Sequence, residues 1–154
     1  MFNNLRRQDR SLSENDARDI LKRGKFGVLS VIGENGYPYG VPIHYVMIDN
    51  SLYFHCSTSN SHKVSAIRKN NKICFTVIET EDGIKSQSAI FFGTANEVKE
   101  KRQMVLEKLV EKFVPEKAWK NAKQGIPFAL DNILAFELNV DHLSGKWIDK
   151  PKGR

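Results

Sequence analysis

Between residues 13 and 23 apolar positions recur at helical spacing, with Ala17, Ile20 and Leu21 on one side. That period predicts a helix. Ser13, followed three residues on by Asp16, reads as its N-cap, and Gly24 as its stop. The pattern then changes. Phe26–Ile32 is apolar and β-branched, Gly33-Glu34-Asn35-Gly36 is a turn, and residues 39–48 resume as a strand. Asp49-Asn50-Ser51 turns the chain into a third strand over residues 52–55, which completes a meander.

A short helix is predicted over His62–Lys69, with Val64 and Ile67 inward and Asn70-Asn71 ending it. Strands follow at residues 72–78 and 86–98, separated by the Glu81-Asp82-Gly83 turn, and Gly93 marks a bulge or bend in the second. Residues 99–113 are helical, with Met104, Leu106, Leu109 and Val110 on one side. Residues 115–124 add another helical turn or two. Residues 133–140 alternate apolar and polar side chains and return to the sheet.

Successive strands joined by turns rather than by helices disfavour a doubly wound parallel fold. About six strands with two or three short helices favour a closed or partly closed antiparallel barrel. No repeat or linker divides the 154 residues, so residues 1–154 are read as one domain. Hydrophobic content of 40% is ordinary for a soluble protein, and no apolar run reaches the length of a membrane helix. Residues 1–10 lack the apolar stretch of a secretory signal, and Cys56 and Cys74 make no disulfide framework or metal site. A cytoplasmic location is the simplest expectation. The net charge of +6 lies largely in a Lys/Glu-alternating helix and in Lys146, Lys150, Lys152 and Arg154. It reads as a solvated face and a tail rather than a nucleic-acid site.

Candidate chemistry concentrates in residues 52–77. A strand ends at His55-Cys56-Ser57, a polar loop follows, and Ser61, His62 and Lys63 stand where a helix begins. A hydroxyl, an imidazole, an ammonium and free backbone N–H groups together suit a phosphate, although the same residues also make an ordinary capped helix start. Pro42, in Val41-Pro42-Ile43-His44-Tyr45, fits either an edge strand or a strand that leaves its ladder to meet a ligand. His44 alone reads as structural. His55 faces whatever the loop anchors, a natural place for proton transfer. Ser86-Gln87-Ser88 is either an exposed strand end or a set of donors for a polar ring. No serine–histidine–acid triad, paired-carboxylate site, Walker loop or GxGxxG is present.

In order and spacing these motifs resemble the FMN-binding split-barrel superfamily that includes pyridoxamine 5′-phosphate oxidase, and within it the nitroimidazole-resistance-like branch. The resemblance rests on Val41-Pro42-x-x-Tyr45, Tyr53-Phe54-His55-Cys56, Ser61-His62-Lys63, Ile67-Arg68-Lys69-Asn70-Asn71 and Ile73-Cys74-Phe75-Thr76-Val77. Ser88-Ala89-Ile90-Phe91-Phe92-Gly93-Thr94-Ala95 and Ser144-Gly145-Lys146 extend it. It implies a mainly β protein with short helices (α+β), built as a six-stranded antiparallel split β-barrel.

It also implies FMN at the interface of a homodimer. The phosphate would sit on Ser61, His62 and Lys63, the isoalloxazine along Pro42, Ile43, His44 and Tyr45, with His55, Cys56 and Ser57 beside the ribityl chain or the ring. Ser88 would meet the polar edge of the ring, and His55 is the implied catalytic residue. The implied activity is FMN-dependent reduction of a small acceptor, nitroaromatics included, with electrons from NAD(P)H. Residues 141–154 lack the arginine–histidine pair with which pyridoxamine phosphate oxidases hold substrate, which argues against that substrate. The alternatives are a non-catalytic flavin-binding protein, or a barrel of this type holding a deazaflavin, or haem with His44, His55 or His62 as an axial ligand. Trp147 is read either as a cover on the flavin or as a tail residue.

Overall fold

The computed structural model describes residues 1–58, 60–81 and 85–149. After a two-residue strand β1 (Ser11–Leu12), helix α1 (Glu14–Arg23) begins as expected. The Ser13 hydroxyl accepts from the Asp16 N–H at 3.1 Å and donates to the Asp16 carboxylate at 2.6 Å. Strands β2 (Phe26–Ile32), β3 (Pro38–His44), β4 (Val46–Ile48) and β5 (Ser51–Ser57) form the meander. Helix α2 (His62–Lys69) separates them from β6 (Lys72–Glu81) and β7 (Lys85–Glu97). Helices α3 (Arg102–Phe113), α4 (Trp119–Gln124) and α5 (Ile126–Ala129) then precede β8 (Ile133–Asp149). No helix among the described residues is long and apolar enough to cross a membrane.

All strand pairings are antiparallel, in the order β3-β2-β6-β7-β8-β5-β4, with β1 against β8. The two edges of this sheet, β3 and β4, are consecutive in sequence and separated only by Tyr45. One bent stretch of chain therefore belongs to both edges and curls the sheet into a barrel. Counted as one strand, β3 and β4 bring the expected six into agreement with the seven on the sheet path. The two-residue β1 is additional. Tyr45 fixes the bend, since its ring is fully buried against Phe75 and its hydroxyl donates to the Leu21 carbonyl at 2.5 Å.

Period-two patterning fills the barrel: Leu29, Phe54, Phe75, Phe91, Phe136 and Leu138 point inward and are fully buried. Each contributes roughly 1.5–3 kcal/mol of apolar burial. Ala17, Ile20 and Leu21 of α1 and Val64, Ala66 and Ile67 of α2 join the same core. A smaller cluster lies outside, where Val105 and Leu109 of α3 cover Val46, Tyr53 and Ala135.

Two elements differ from expectation. β8 runs to Asp149 instead of stopping at Val140, because the β7–β8 register shifts between Phe92 and Gly93 and takes Asp141 up as an extra residue. Gly93 is required there, as a Cβ would lie 1.9 Å from the Asn139 carbonyl oxygen. Trp147 is consequently a strand residue opposite Gln87, not part of a tail. Helix α5, with proline in its first turn, is also unanticipated. The expected turn at Asp82-Gly83 and the basic residues Lys150, Lys152 and Arg154 lie outside the described residues.

Candidate functional site

The site begins where the barrel stops pairing. Strands β4 and β5 are in register at Ile48–Ser51, Met47–Leu52 and Val46–Tyr53, and the ladder ends there. Continued, that register would set His44 opposite His55 and Pro42 opposite Ser57. Instead β3 stays with β2, keeping Pro42 opposite Val28. A proline can hold that place only as a non-hydrogen-bonded pair, so its missing N–H falls on the side away from β2. The edge that would have met β5 lacks a donor there, and the barrel is split.

Into this split opens a cleft of about 630 Å³. Pro42, Ile43 and His44 of β3, His55 of β5 and Lys63 of α2 line its barrel side. The opposite wall is apolar, with Leu106, Leu109, Val110 and Phe113 of α3 joined by Ala122 and Ile126. His44 packs against Phe113 at 5.0 Å and meets Phe26 edge-on at 6.3 Å. The apolar wall explains the electrostatics of His55: desolvation in the concavity pushes its imidazole below its ordinary pKa, although the residue is reached by solvent. It is neutral at pH 7 and able to accept a proton.

Five of the eleven expected ligand residues thus share one cleft. The Ser61 hydroxyl caps α2, accepting from the Val64 N–H at 3.4 Å, and keeps its own proton to donate. The His62 and Lys63 N–H groups lie in the first turn, without helical acceptors. Among the described residues no carboxylate is salt-bridged to Lys63. The donor set fits a phosphate. His62 turns instead toward Tyr39, ring centroids 4.7 Å apart. Cys56 packs on the barrel core, and burial raises its thiol pKa, so it stays protonated at neutral pH. Ser57 follows at the strand end and does not line the cleft.

Tyr45 and Ser88 also lie outside the cleft. Tyr45 presents only its backbone near the split, its ring being in the core. Ser88 stands on β7 opposite Ile78 and Lys146, on the same outer sheet face as His44 but several strands away. Between them Phe26, Val28 and Ile78 are exposed, by 60%, 38% and 64%, an apolar surface of the kind that marks an interface.

Sequence reading missed the helical wall as part of a site. Leu106, Leu109 and Val110 were legible as an apolar helix side, but one such side serves core packing and cleft lining equally. No three or more His, Cys, Asp or Glu side chains group into a metal site among the described residues.

Comparison with known proteins agrees with the fold. No curated protein matches the chain. A candidate 5-nitroimidazole antibiotic resistance protein from Bacteroides thetaiotaomicron superposes with a TM-score of 0.75 at 18% identity, over 89% of this chain and 86% of that one. An FAD-binding protein from Mesorhizobium loti gives 0.68 at 22% identity, over 91% and 98%. An FAD- and haem-binding protein from Mycobacterium smegmatis gives 0.74 at 19% identity, over 96% and 77%. Residues 13–147 match the sequence family described as pyridoxamine 5′-phosphate oxidase, and the chain belongs to that family.

Proposed function

We propose that this protein is an FMN-dependent oxidoreductase that binds the flavin in the split of the barrel and passes electrons from NAD(P)H to a small acceptor. One observation carries the reading. The place where β3 and β5 fail to pair brings Lys63, His55 and the Pro42–His44 backbone to one apolar-walled cleft. Lys63, the Ser61 hydroxyl and the first-turn N–H groups of α2 hold the phosphate. The β3 edge, with its unpaired backbone groups, would border the ring, and neutral His55 would be placed to accept or return a proton there. When bound, the flavin supplies the electron transfer itself. The helical wall supplies the apolar side of the cleft.

A second copy of the chain covers the apolar face of Phe26, Val28 and Ile78. This face is continuous with His44 and reaches Ser88, so a two-fold dimer closes the cleft and brings Ser88 toward a flavin.

A second reading has its own support: His44 and His55 both border an apolar cleft, an arrangement suited to axial ligation of haem. The absorbance spectrum of the purified protein, before and after anaerobic NADPH, separates the two. Oxidised-flavin bands that bleach support the reductase, and flavin that stays oxidised reduces it to a binding protein. A haem band favours the second reading. A colourless protein that FMN cannot reconstitute removes the first. His55→Ala is expected to retain FMN and lose turnover in an anaerobic reduction assay.

A further inference from the structure

The ammonium of Lys112, in the last turn of α3, sits over the bend that closes the barrel. It donates to the Tyr45 carbonyl at 2.8 Å and to the Gly24 carbonyl. It also lies 4.2 Å from the centre of the Tyr45 ring and 5.4 Å from that of Phe113. Tyr45 is the unpaired residue between β3 and β4, and Gly24 caps α1. Both carbonyls lie outside the sheet ladder, and a half-buried cation that satisfies them joins three elements at one point.

The residues beside these two anchors line the cleft. His44 precedes Tyr45, Phe113 follows Lys112, and their rings are 5.0 Å apart. We propose that Lys112 is a positioning residue for the flavin site: by fixing the end of α3 to the β3–β4 bend, it sets where His44 stands against Phe113 and so the width of the cleft. The role in binding rests on the flavin reading above; the positioning of His44 does not. A hydrophobic residue at this position would fill the same space but leave both carbonyls without a donor. A purely structural lysine would affect stability alone.

The test begins with the ligand-free protein. In Lys112→Met the NMR signals of the His44 imidazole, which sense the Phe113 ring, are expected to move, while those of His142 on β8 stay. Lys112→Arg, which keeps a cationic donor, is expected to restore them. His44 signals that stay in place in the folded Met variant overturn the proposal. Should the Met variant fail to fold, Lys112→Gln, uncharged and one atom shorter, is judged by the same two signals. FMN titration is the second readout, with a dissociation constant about tenfold higher in the Met variant. Unchanged affinity despite moved His44 signals overturns the role in binding. A wild-type protein that binds no FMN refutes the flavin reading instead, and the His44 signals still decide the positioning.

Discussion

Val46–Ile48 and Pro38–His44 belong to one run of chain, yet they meet opposite conditions on either side of Tyr45. The first segment pairs with β5 and lies under α3, where Val46 joins Val105 and Leu109. The second pairs only with β2 and leaves its other edge to a cleft. Both have strand geometry. They differ in a proline and in what covers them. The cleft arises where a regular pairing is withheld and a helix stands away from the gap. Under the proposed function, stability belongs to the closed half and chemistry to the open one.

Phe54→Ala should break the closed half most severely. Its ring is fully buried and stacks on Phe136 at 5.1 Å. A loss of about 3–5 kcal/mol is expected from truncating such a side chain, read by urea denaturation. A small loss would mean that the barrel interior collapses easily, which would weaken the contrast.

Lys63→Ala tests the open half, with flavin affinity expected to fall by about 1.5–3 kcal/mol, the scale of a charged hydrogen bond. Thermal stability should scarcely change, because the side chain has no ion-pair partner among the described residues. Unchanged affinity would move the phosphate elsewhere.

Pro42→Val sharpens the comparison by returning a donor to the split edge. It should cost roughly 0.5–1 kcal/mol through the freer unfolded chain, measurable by denaturation. Added pairing with β5, seen as protection of the new amide at position 42 from hydrogen exchange, would show that the proline keeps the cleft open.

The smallest effect concerns His55. Its folded pKa lies below the ordinary value of 6.5, so the unfolded chain takes up a proton first as pH falls. The contribution of this residue to stability is therefore complete above pH 6.5 and declines as pH drops toward its folded pKa. An NMR titration of the imidazole should give a midpoint below 6.5, and His55→Gln should flatten part of the acid decline. A midpoint at or above 6.5 would show that the apolar wall does not desolvate the ring.

Much of this arrangement was legible in the residues. The Ser13 cap, the strand alternation and the Gly93 irregularity are local signals with local causes, and the structure places them as read. Pro42 was ambiguous because edge strands and split ladders ask the same thing of a proline: that no partner need its N–H. Distinguishing them takes the register of β4 with β5 set against that of β3 with β2, a comparison that no single stretch of sequence displays. The β8 extension was hidden for a related reason. Asp141, His142 and Ser144-Gly145-Lys146 look like a chain leaving the sheet, and only a bulge opposite Gly93 restores the alternation. The pairing of Ser61 with Lys63 at a helix start was readable, whereas the apolar wall was not, since Leu109 serves the outer cluster and the cleft at once.

The place of β8 in the sheet has a consequence for how the protein is made. It follows in sequence every strand it touches, yet stands between β7 and β5 and also carries β1. Until residues 133–149 emerge from the ribosome, both neighbours present open backbone edges, and the ring cannot close. Such long-range pairing makes for slow assembly and a nascent chain exposed to edge-to-edge association. The amphipathic helix α3 is translated before β8 and can shield the outer face of β5 during that interval, though not its edge. Synthesis rate and chaperone supply should therefore govern the yield of this protein more than its final stability does.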